Sequence, residues 1–502
     1  MSYSARFINM ISGSRLRQID RFRSRGALVQ QEQFRWLMEH GAPCSYLAGK
    51  GVTRGCSQED FRRRIPVVDY DALYPEIEKV RAGQANVLYP DPVKWFARSS
   101  GTTGDRSKYI PVTKASLWDC HYRGARDVTI LFARNHPRSK AFDGKALTLG
   151  GSHKFDTETN ALSGDLSAIM IRNTPVWANF KRTPAADTAL IPDFEEKVGR
   201  ICEETTGRNV TSFAGVPSWN MVLMNRILDY TGKSNMHEVW PDMSLFMHGG
   251  VCFTPYREQY RKLFPSEQMK YIETYNASEG FFAIQDDPSQ SDMLLMLDYR
   301  IYYEFLPLAD LSDTSKAVPL EGVCRGVNYA MIISTNGGLW RYMIGDTVEF
   351  TSLSPYKIRI TGRTKQYMNA FGEEVIVDNA DRALHAACEA TAAVVSDYTA
   401  APVYMSGREK GAHQWLVEFE HGPASIEEFT AKLDRALQEL NSDYEAKRFR
   451  DTTLHAPEVI PARKGLFYRW MADRGKVGGQ NKVPRLSNDR SYMDALLEMN
   501  KP

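Results

Sequence analysis

The run Ser99-Ser100-Gly101-Thr102-Thr103-Gly104-Asp105-Arg106-Ser107-Lys108 holds the densest chemistry in the chain. Small hydroxylated residues and glycines end on a lysine. Glycine lets backbone N–H groups approach an anion, hydroxyls donate further bonds, and the lysine supplies countercharge, so the composition suits a polyphosphate. The spacing is G-x-x-G-x-x-x-K. It is not the G-x-x-x-x-G-K-[ST] of a Walker A loop, which opens directly into a helix. Taken alone, the run also fits an ordinary surface turn. Residues 93–97 before it and 109–113 after it read as extended.

Later segments hold complementary groups. In Glu273-Thr274-Tyr275-Asn276-Ala277-Ser278-Glu279-Gly280, Tyr275 offers a ring that can stack on a flat base. Glu279 offers a hard oxygen ligand for Mg2+ beside phosphates. In Arg341-Tyr342-Met343-Ile344-Gly345-Asp346, the aspartate follows a glycine after an apolar stretch. An acceptor-only carboxylate there can take both hydroxyls of a ribose, though the same pattern serves an Asx turn. In Thr361-Gly362-Arg363-Thr364-Lys365-Gln366, Arg363 can reach ribose or phosphate, and a backbone rotation at Lys365 can swing the C-terminal segment. The glycine-rich run 475–485 carries Lys482, which can stabilise charge on a carboxylate and an α-phosphate during attack. Each segment singly also reads as a polar turn or a solvated loop.

The elements that must position these groups read as α/β. Residues 14–49 are helical with a break at Gly41-Ala42-Pro43, and Leu16, Ile19 and Phe22 share an apolar face with the arginines outside. The first 26 residues carry six arginines and one acid, Asp20, a balance that also leaves a transit peptide open. Residues 65–68 and 86–88 look like short strands. Residues 146–149 and 245–248 are strands running into Gly150-Gly151 and Gly249-Gly250, and 219–230 is helical. The block 293–360 is strand-rich and predicts antiparallel pairing in a barrel-like layer. Beyond it, helices at 378–392 and 426–441 alternate with strands at 394–398 and 415–419. That tail reads as a small α+β domain, with the boundary between residues 361 and 366.

With 502 residues and 43% apolar content, the chain can bury a large core in two to four units. Lys+Arg at 63 against Asp+Glu at 61 implies no polyanionic partner, which disfavours nucleic acid. Seven cysteines without a C-x-x-C pattern fit buried thiols in a reducing, cytoplasmic setting. No apolar run approaches the ~18–20 residues of a membrane span.

In order and chemistry, the segments follow the plan of the adenylate-forming superfamily. Within it the chain resembles the Gretchen Hagen family of acyl acid amido synthetases. Residues 65–70, 86–90, 108–113, 215–219, 231–234, 238–241, 248–251, 255–259 and 480–485 carry the resemblance, which spans residues 30 to 490. It implies a large N-terminal domain (1–363) of mixed β-sheets with flanking helices, and a smaller, mobile C-terminal α+β domain (364–502). It implies that ATP and a carboxylic acid give an acyl-adenylate and pyrophosphate, and that an amino acid then displaces AMP to form an amide. On this resemblance Ser99, Ser100, Gly101, Thr102, Thr103, Gly104 and Lys108 hold phosphates, and Tyr275 packs on adenine beside Asn276, Ala277 and Ser278. Glu279 places Mg2+, Asp346 and Arg363 hold the ribose, and Lys365 marks the hinge. Lys108, Glu279 and Lys482 serve catalysis, and Gly249 and Gly250 border the pockets. The acid is expected near Trp118, His121, Tyr122, Arg123, Val216, Pro217 and Phe253, with an aromatic or otherwise cyclic acid preferred. A cytoplasmic monomer acting on small molecules, without a nucleic-acid or membrane partner, completes the expectation. Acid:CoA ligation and a non-catalytic nucleotide binder are the rival readings. One departure stands out: plant members carry Gly-Ser-Ser where this chain has Asn276-Ala277-Ser278. The lost hydroxyl at Ala277 removes one bond of ~1 kcal/mol.

Overall fold

The computed structural model describes residues 3–99, 108–151, 153–155, 161–175, 179–251, 253, 256–364, 367–405, 409–449, 453–473 and 483–501. Its central feature is a twelve-stranded sheet in two halves. One half is parallel. Strands Arg182–Thr183, Lys145–Thr148, Val210–Gly215, Leu245–His248 and Lys270–Ala277 lie side by side, joined by helical crossovers such as Phe194–Thr205 and Pro217–Thr231. From Lys270–Ala277 outward the sheet becomes antiparallel, through Gly280–Ile284, Met293–Leu295, Tyr356–Arg363, Tyr342–Leu353, Asn328–Thr335, Ile301–Pro307 and Val318–Pro319. The antiparallel block expected over 293–360 is therefore one end of a continuous sheet.

A four-stranded sheet carries the flanks of the glycine–hydroxyl run. Val93–Ser99 pairs antiparallel with Lys108–Thr113 and parallel with Leu162–Gly164. Lys108–Thr113 is the edge strand, and that position tolerates Pro111, which has no N–H to give to a ladder.

The N-terminal helices Gly13–Ser24 and Gly26–Gly41 cover the antiparallel half. Ile19 and Phe22 are buried, as their spacing predicts. Gln30 clamps the sheet from within, donating to Leu297 O (2.9 Å) and Ile301 O (3.0 Å) and accepting from Tyr303 N (2.9 Å). The expectation that the arginines of the first helices all face outward fails at Arg15. It is buried and bonded to Asp127 and Asp298, because two carboxylates from distant segments compensate its charge. The strands expected at 65–68 and 86–88 are also absent. Residues 65–67 are extended without a ladder, and only Val68 makes a bridge, to Tyr342. Residues 86–88 form a turn with Asn86 at φ 59°, and their carbonyls accept from Ser45 N, Tyr46 N and Trp340 Nε1.

The C-terminal segment has a three-stranded sheet in which Val394–Val403 and Glu458–Ala462 flank Ala412–His421. Period-two alternation splits the central strand. Trp415 and Val417 face helices Val377–Thr391 and Ile426–Leu440, while Leu416 faces Leu466–Asp473 and Ser491–Asn500. Ser425 Oγ caps Ile426–Leu440 by accepting from Glu428 N at 3.1 Å. In that helix Phe429, Leu433 and Leu437 are fully buried, each stabilising by ~1.5–3 kcal/mol. This segment shares its hydrophobic cluster with the parallel half of the large sheet: Phe371, Trp415 and Leu433 join Phe213, Phe246 and Tyr260. Tyr256 donates to Ala370 O at 2.6 Å across that contact.

Candidate active site

The carboxyl ends of two adjacent parallel strands, Leu245–His248 and Lys270–Ala277, open on a cavity of about 580 Å3. Ligands of open α/β sheets bind at this edge, because the loops that leave the strands there can be shaped freely. Leu245–His248 delivers Gly250, and Lys270–Ala277 delivers Tyr275, Asn276 and Ala277 to the wall. Gly249 must be glycine, since a Cβ there would lie 2.3 Å from the Thr274 carbonyl oxygen. Gly250 has φ +84°, which also favours glycine. Ser278 and Glu279 form the tight turn between Lys270–Ala277 and Gly280–Ile284, and both line the cavity.

Asp346 reaches the cavity through a bulge. Between the pairs Ala330↔Thr347 and Ile332↔Met343, one residue of one strand, Met331, faces three of the other, so Ile344, Gly345 and Asp346 include unpaired residues. Gly345 takes φ +93° there. A bulge re-aims a side chain that a regular strand would fix. On its other side Asp346 lies directly opposite Arg363. Arg363 Nε donates to Asp346 Oδ1 at 2.8 Å, and Tyr275 Oη donates to Asp346 Oδ2 at 2.7 Å. Each carboxylate oxygen keeps a further acceptor site for a ligand hydroxyl. Arg363 also pairs with Glu374 at 3.2 Å and lies over the Tyr367 ring at 5.0 Å. Burial works against its charge, but Glu374 and Asp346 outweigh that and hold it protonated. Burial and the Asp346 charge push the Tyr275 phenol far above its ordinary range.

Glu279 is half-exposed at the cavity surface but recessed among protein atoms. Burial pushes its carboxyl up, Lys108 and Arg363 pull it back, and Asp346 adds to the rise. The described wall carries Arg98, Lys108 and Arg363 against Asp165, Glu273, Glu279, Asp346, Glu374 and Asp443. Carboxylates outnumber cations, so this wall alone does not neutralise a polyphosphate. No group of three or more His, Cys, Asp or Glu suited to a metal occurs among the described residues. Glu279 as a single carboxylate still fits Mg2+, which keeps its waters and binds through one or two carboxylates plus substrate phosphates.

The structure thus brings together Lys108, Gly250, Tyr275, Asn276, Ala277, Ser278, Glu279, Asp346 and Arg363. Ser99 ends the strand Val93–Ser99 beside them. Ser100, Gly101, Thr102, Thr103, Gly104, Lys365 and Lys482 lie outside the described residues. The residues expected around the acid do not line this cavity. Trp118 is largely exposed and packs on Tyr122 at 5.0 Å, and Tyr122 donates to Met170 O at 2.6 Å. Arg123 pairs with Asp298 at 3.0 Å. His121 is buried and held neutral, its pKa lowered to about 4 by burial. Pro217 O accepts from Tyr260 Oη at 2.6 Å, and Phe253 stacks on His248 at 4.1 Å. Val216 stands at the cavity's border, 3.5 Å from where a Gly250 Cβ would lie.

Sequence reasoning missed Arg98, Asp165, Glu374 and Asp443, all of which line the cavity. Only Arg98 had a usable signal, as a cation directly before Ser99.

Solved structures share this architecture. An acyl acid amido synthetase described as GH3.15 superposes with a TM-score of 0.60 at 15% identity, covering 97% of this chain and 96% of that one. A 2-hydroxyisobutyryl-CoA ligase superposes at 0.58 and 15% identity, covering 95% and 94%. The fold is the one these two enzymes share. Three family models then match in chain order: the GH3 family N-terminal domain over residues 15–269, the central domain over 294–363 and the C-terminal domain over 378–491. The chain belongs to the GH3 family. Its relatives include a probable indole-3-acetic acid-amido synthetase GH3.1 of Arabidopsis thaliana, 23% identical over 96% of this chain and 92% of that protein. Another is the jasmonoyl–L-amino acid synthetase JAR4 of Nicotiana attenuata, 23% identical over 74% of each.

Proposed function

We propose that this protein uses ATP to convert a carboxylic acid to its acyl-adenylate and then transfers the acyl group to an amino acid, releasing AMP. The observation that carries the reading is the convergence of Lys108, Tyr275, Glu279, Asp346 and Arg363 on one cavity in a GH3-family chain. Asp346 holds the ribose hydroxyls, with Tyr275 and Arg363 fixing its orientation, and the Tyr275 ring borders the adenine. Lys108 and the hydroxyl-rich run before it receive the β- and γ-phosphates, and Lys482 neutralises charge as the acid attacks the α-phosphate. Fixed donors of this kind act because they face charge that grows in the transition state. Glu279 would hold Mg2+, which supplies the countercharge that the described wall lacks.

The gap between the central and C-terminal family matches, residues 364–377, supports a domain boundary just after Arg363. Lys365 lies within that gap and is read as the hinge. Trp118, Tyr122, Arg123, Val216 and Pro217 remain the proposed neighbours of the acid, with Val216 best placed. The six described cysteines are free, which suits a reducing, cytoplasmic setting; a monomer acting on small molecules is the proposed form. No described helix is long and apolar enough to cross a membrane.

The test is pyrophosphate release from ATP with a panel of indole-3-acetate, jasmonate, benzoate, 2,4-DB and 2-hydroxyisobutyrate, each with the twenty protein amino acids or with CoA. At least one acid should drive release, with amino acids but not CoA accelerating turnover. Acceleration by CoA alone would replace amide formation with thioester formation. No release with any acid would remove the reading.

A further inference from the structure

The cavity that Arg363 lines also carries a second set of charges. Asp443, on the short helix Ser442–Arg448 of the C-terminal segment, lines it together with Asp165, Glu374 and Arg98. The Asp443 carboxylate accepts no hydrogen bond among the described residues. It is not needed to start its helix, because Asn441 Oδ1 accepts from Asp443 N at 3.0 Å and Tyr444 N at 2.8 Å. Lys447, one turn on, lies over the Trp219 ring at 4.4 Å instead of pairing with Asp443. Arg98 Nε, of another lining residue, is buried without a hydrogen-bond partner among the described residues. A buried donor left unpaired costs ~1–3 kcal/mol, and an anionic ligand would relieve that cost. Arg98 Nε and the Asp443 carboxylate, of opposite sign and without hydrogen-bond partners among the described residues, therefore border the cavity that holds the nucleotide-site residues.

We propose that Arg98 and Asp443 form the acceptor subsite for an α-amino acid, Arg98 pairing with its carboxylate and Asp443 taking a proton from its ammonium group. This rests on the proposed function. An ammonium nitrogen has no lone pair to attack with. Transfer of one proton to Asp443 frees the pair, which forms the C–N bond to the acyl carbon of the adenylate. The bond from that carbon to the phosphate oxygen breaks, and its electron pair leaves on AMP. The nitrogen's second surplus proton goes to the departing phosphate. The charged groups facing Asp443 are Lys447 on its own helix, Glu374 after the hinge, Asp165 at the start of helix Leu166–Asn173, and Arg98. Burial pushes its carboxyl up to about 7, with Lys447 opposing and Glu374 and Asp165 adding. A base with that affinity works efficiently near neutral pH.

The experiment uses the full chain and the best acid of the panel, and compares the twenty amino acids with hydroxylamine, which arrives unprotonated at neutral pH. Asp443→Asn should lower amide formation from amino acids by ~10²-fold or more. Hydroxamate formation and acid-dependent pyrophosphate release should fall far less, which also reports that the variant is folded. The acid limb near neutral pH should vanish from the amino-acid-dependent step. Arg98→Gln should raise KM for amino acids and narrow the preference for them over their amides. Equal losses with amino acids and hydroxylamine, or an unchanged pH profile in Asp443→Asn, would overturn the proposal. Absence of pyrophosphate release in the unmodified protein would instead overturn the function it rests on.

Discussion

Replacing Asp346 by alanine should weaken ATP binding by about 10²–10⁴-fold while the protein remains folded. The magnitude follows from two hydrogen bonds between ribose hydroxyls and a charged acceptor, each ~1.5–3 kcal/mol, at ~1.4 kcal/mol per tenfold. Folding should survive, because Arg363 keeps Glu374 at 3.2 Å and the Tyr367 ring after Asp346 is removed. Tyr275 loses its acceptor at 2.7 Å, so its ring also becomes less fixed. Calorimetric titration of ATP into the unmodified and Asp346→Ala proteins measures the effect directly. Equal affinities would remove Asp346 from the ribose site.

The largest loss of stability is expected at Arg341. Its side chain is almost fully buried and bonds Glu304 twice, from Nε and from a terminal nitrogen, both at 2.9 Å. The other terminal nitrogen donates to Arg62 O and Ile65 O, both at 2.8 Å, which ties the C-terminal end of helix Gln58–Arg64 to the sheet. Arg341→Ala leaves Glu304 as an unpaired buried charge and two carbonyls without a donor. The expected cost is ~3–5 kcal/mol, read as a lower denaturation midpoint at neutral pH. Even with Arg341 present, burial holds the Glu304 carboxyl above its ordinary range, with Arg341 opposing. Removing Arg341 raises it further. A carboxyl whose folded-state pKa exceeds its unfolded value takes up its proton first in the folded state. The variant's deficit should therefore shrink as pH falls through that raised value. Adding Glu304→Gln to Arg341→Ala should recover part of the loss at neutral pH. A double variant no more stable than the single one would show that the buried charge is not the cause.

How much of the molecule was legible in its sequence depends on the range of the interactions. Helices Pro217–Thr231 and Ile426–Leu440 were readable because three-and-four spacing is local. The antiparallel strands were readable because long alternating or apolar runs have few other uses. Runs of three or four apolar residues do not carry that information. Val87 and Leu88 are buried, yet in a turn, where the Leu88 carbonyl holds Trp340. Arg15 looked like a surface arginine because its partners Asp127 and Asp298 lie more than a hundred residues away. The Asp346 carboxylate was found from its glycine neighbour, but the expected turn is a bulge in a long strand. Asp443 was missed because it lies just past the helix read over 426–441, in a run that carries no motif. Asn441 does the capping and leaves Asp443 free to face the cavity.

The central claim is that the acid's own oxygen attacks the α-phosphate of ATP. It is tested most directly by running one round of amide synthesis with an acid carrying oxygen-18 in both carboxylate positions and weighing the products. The account predicts one heavy oxygen in AMP and none in pyrophosphate or inorganic phosphate. Label in inorganic phosphate, or AMP without label, would contradict it.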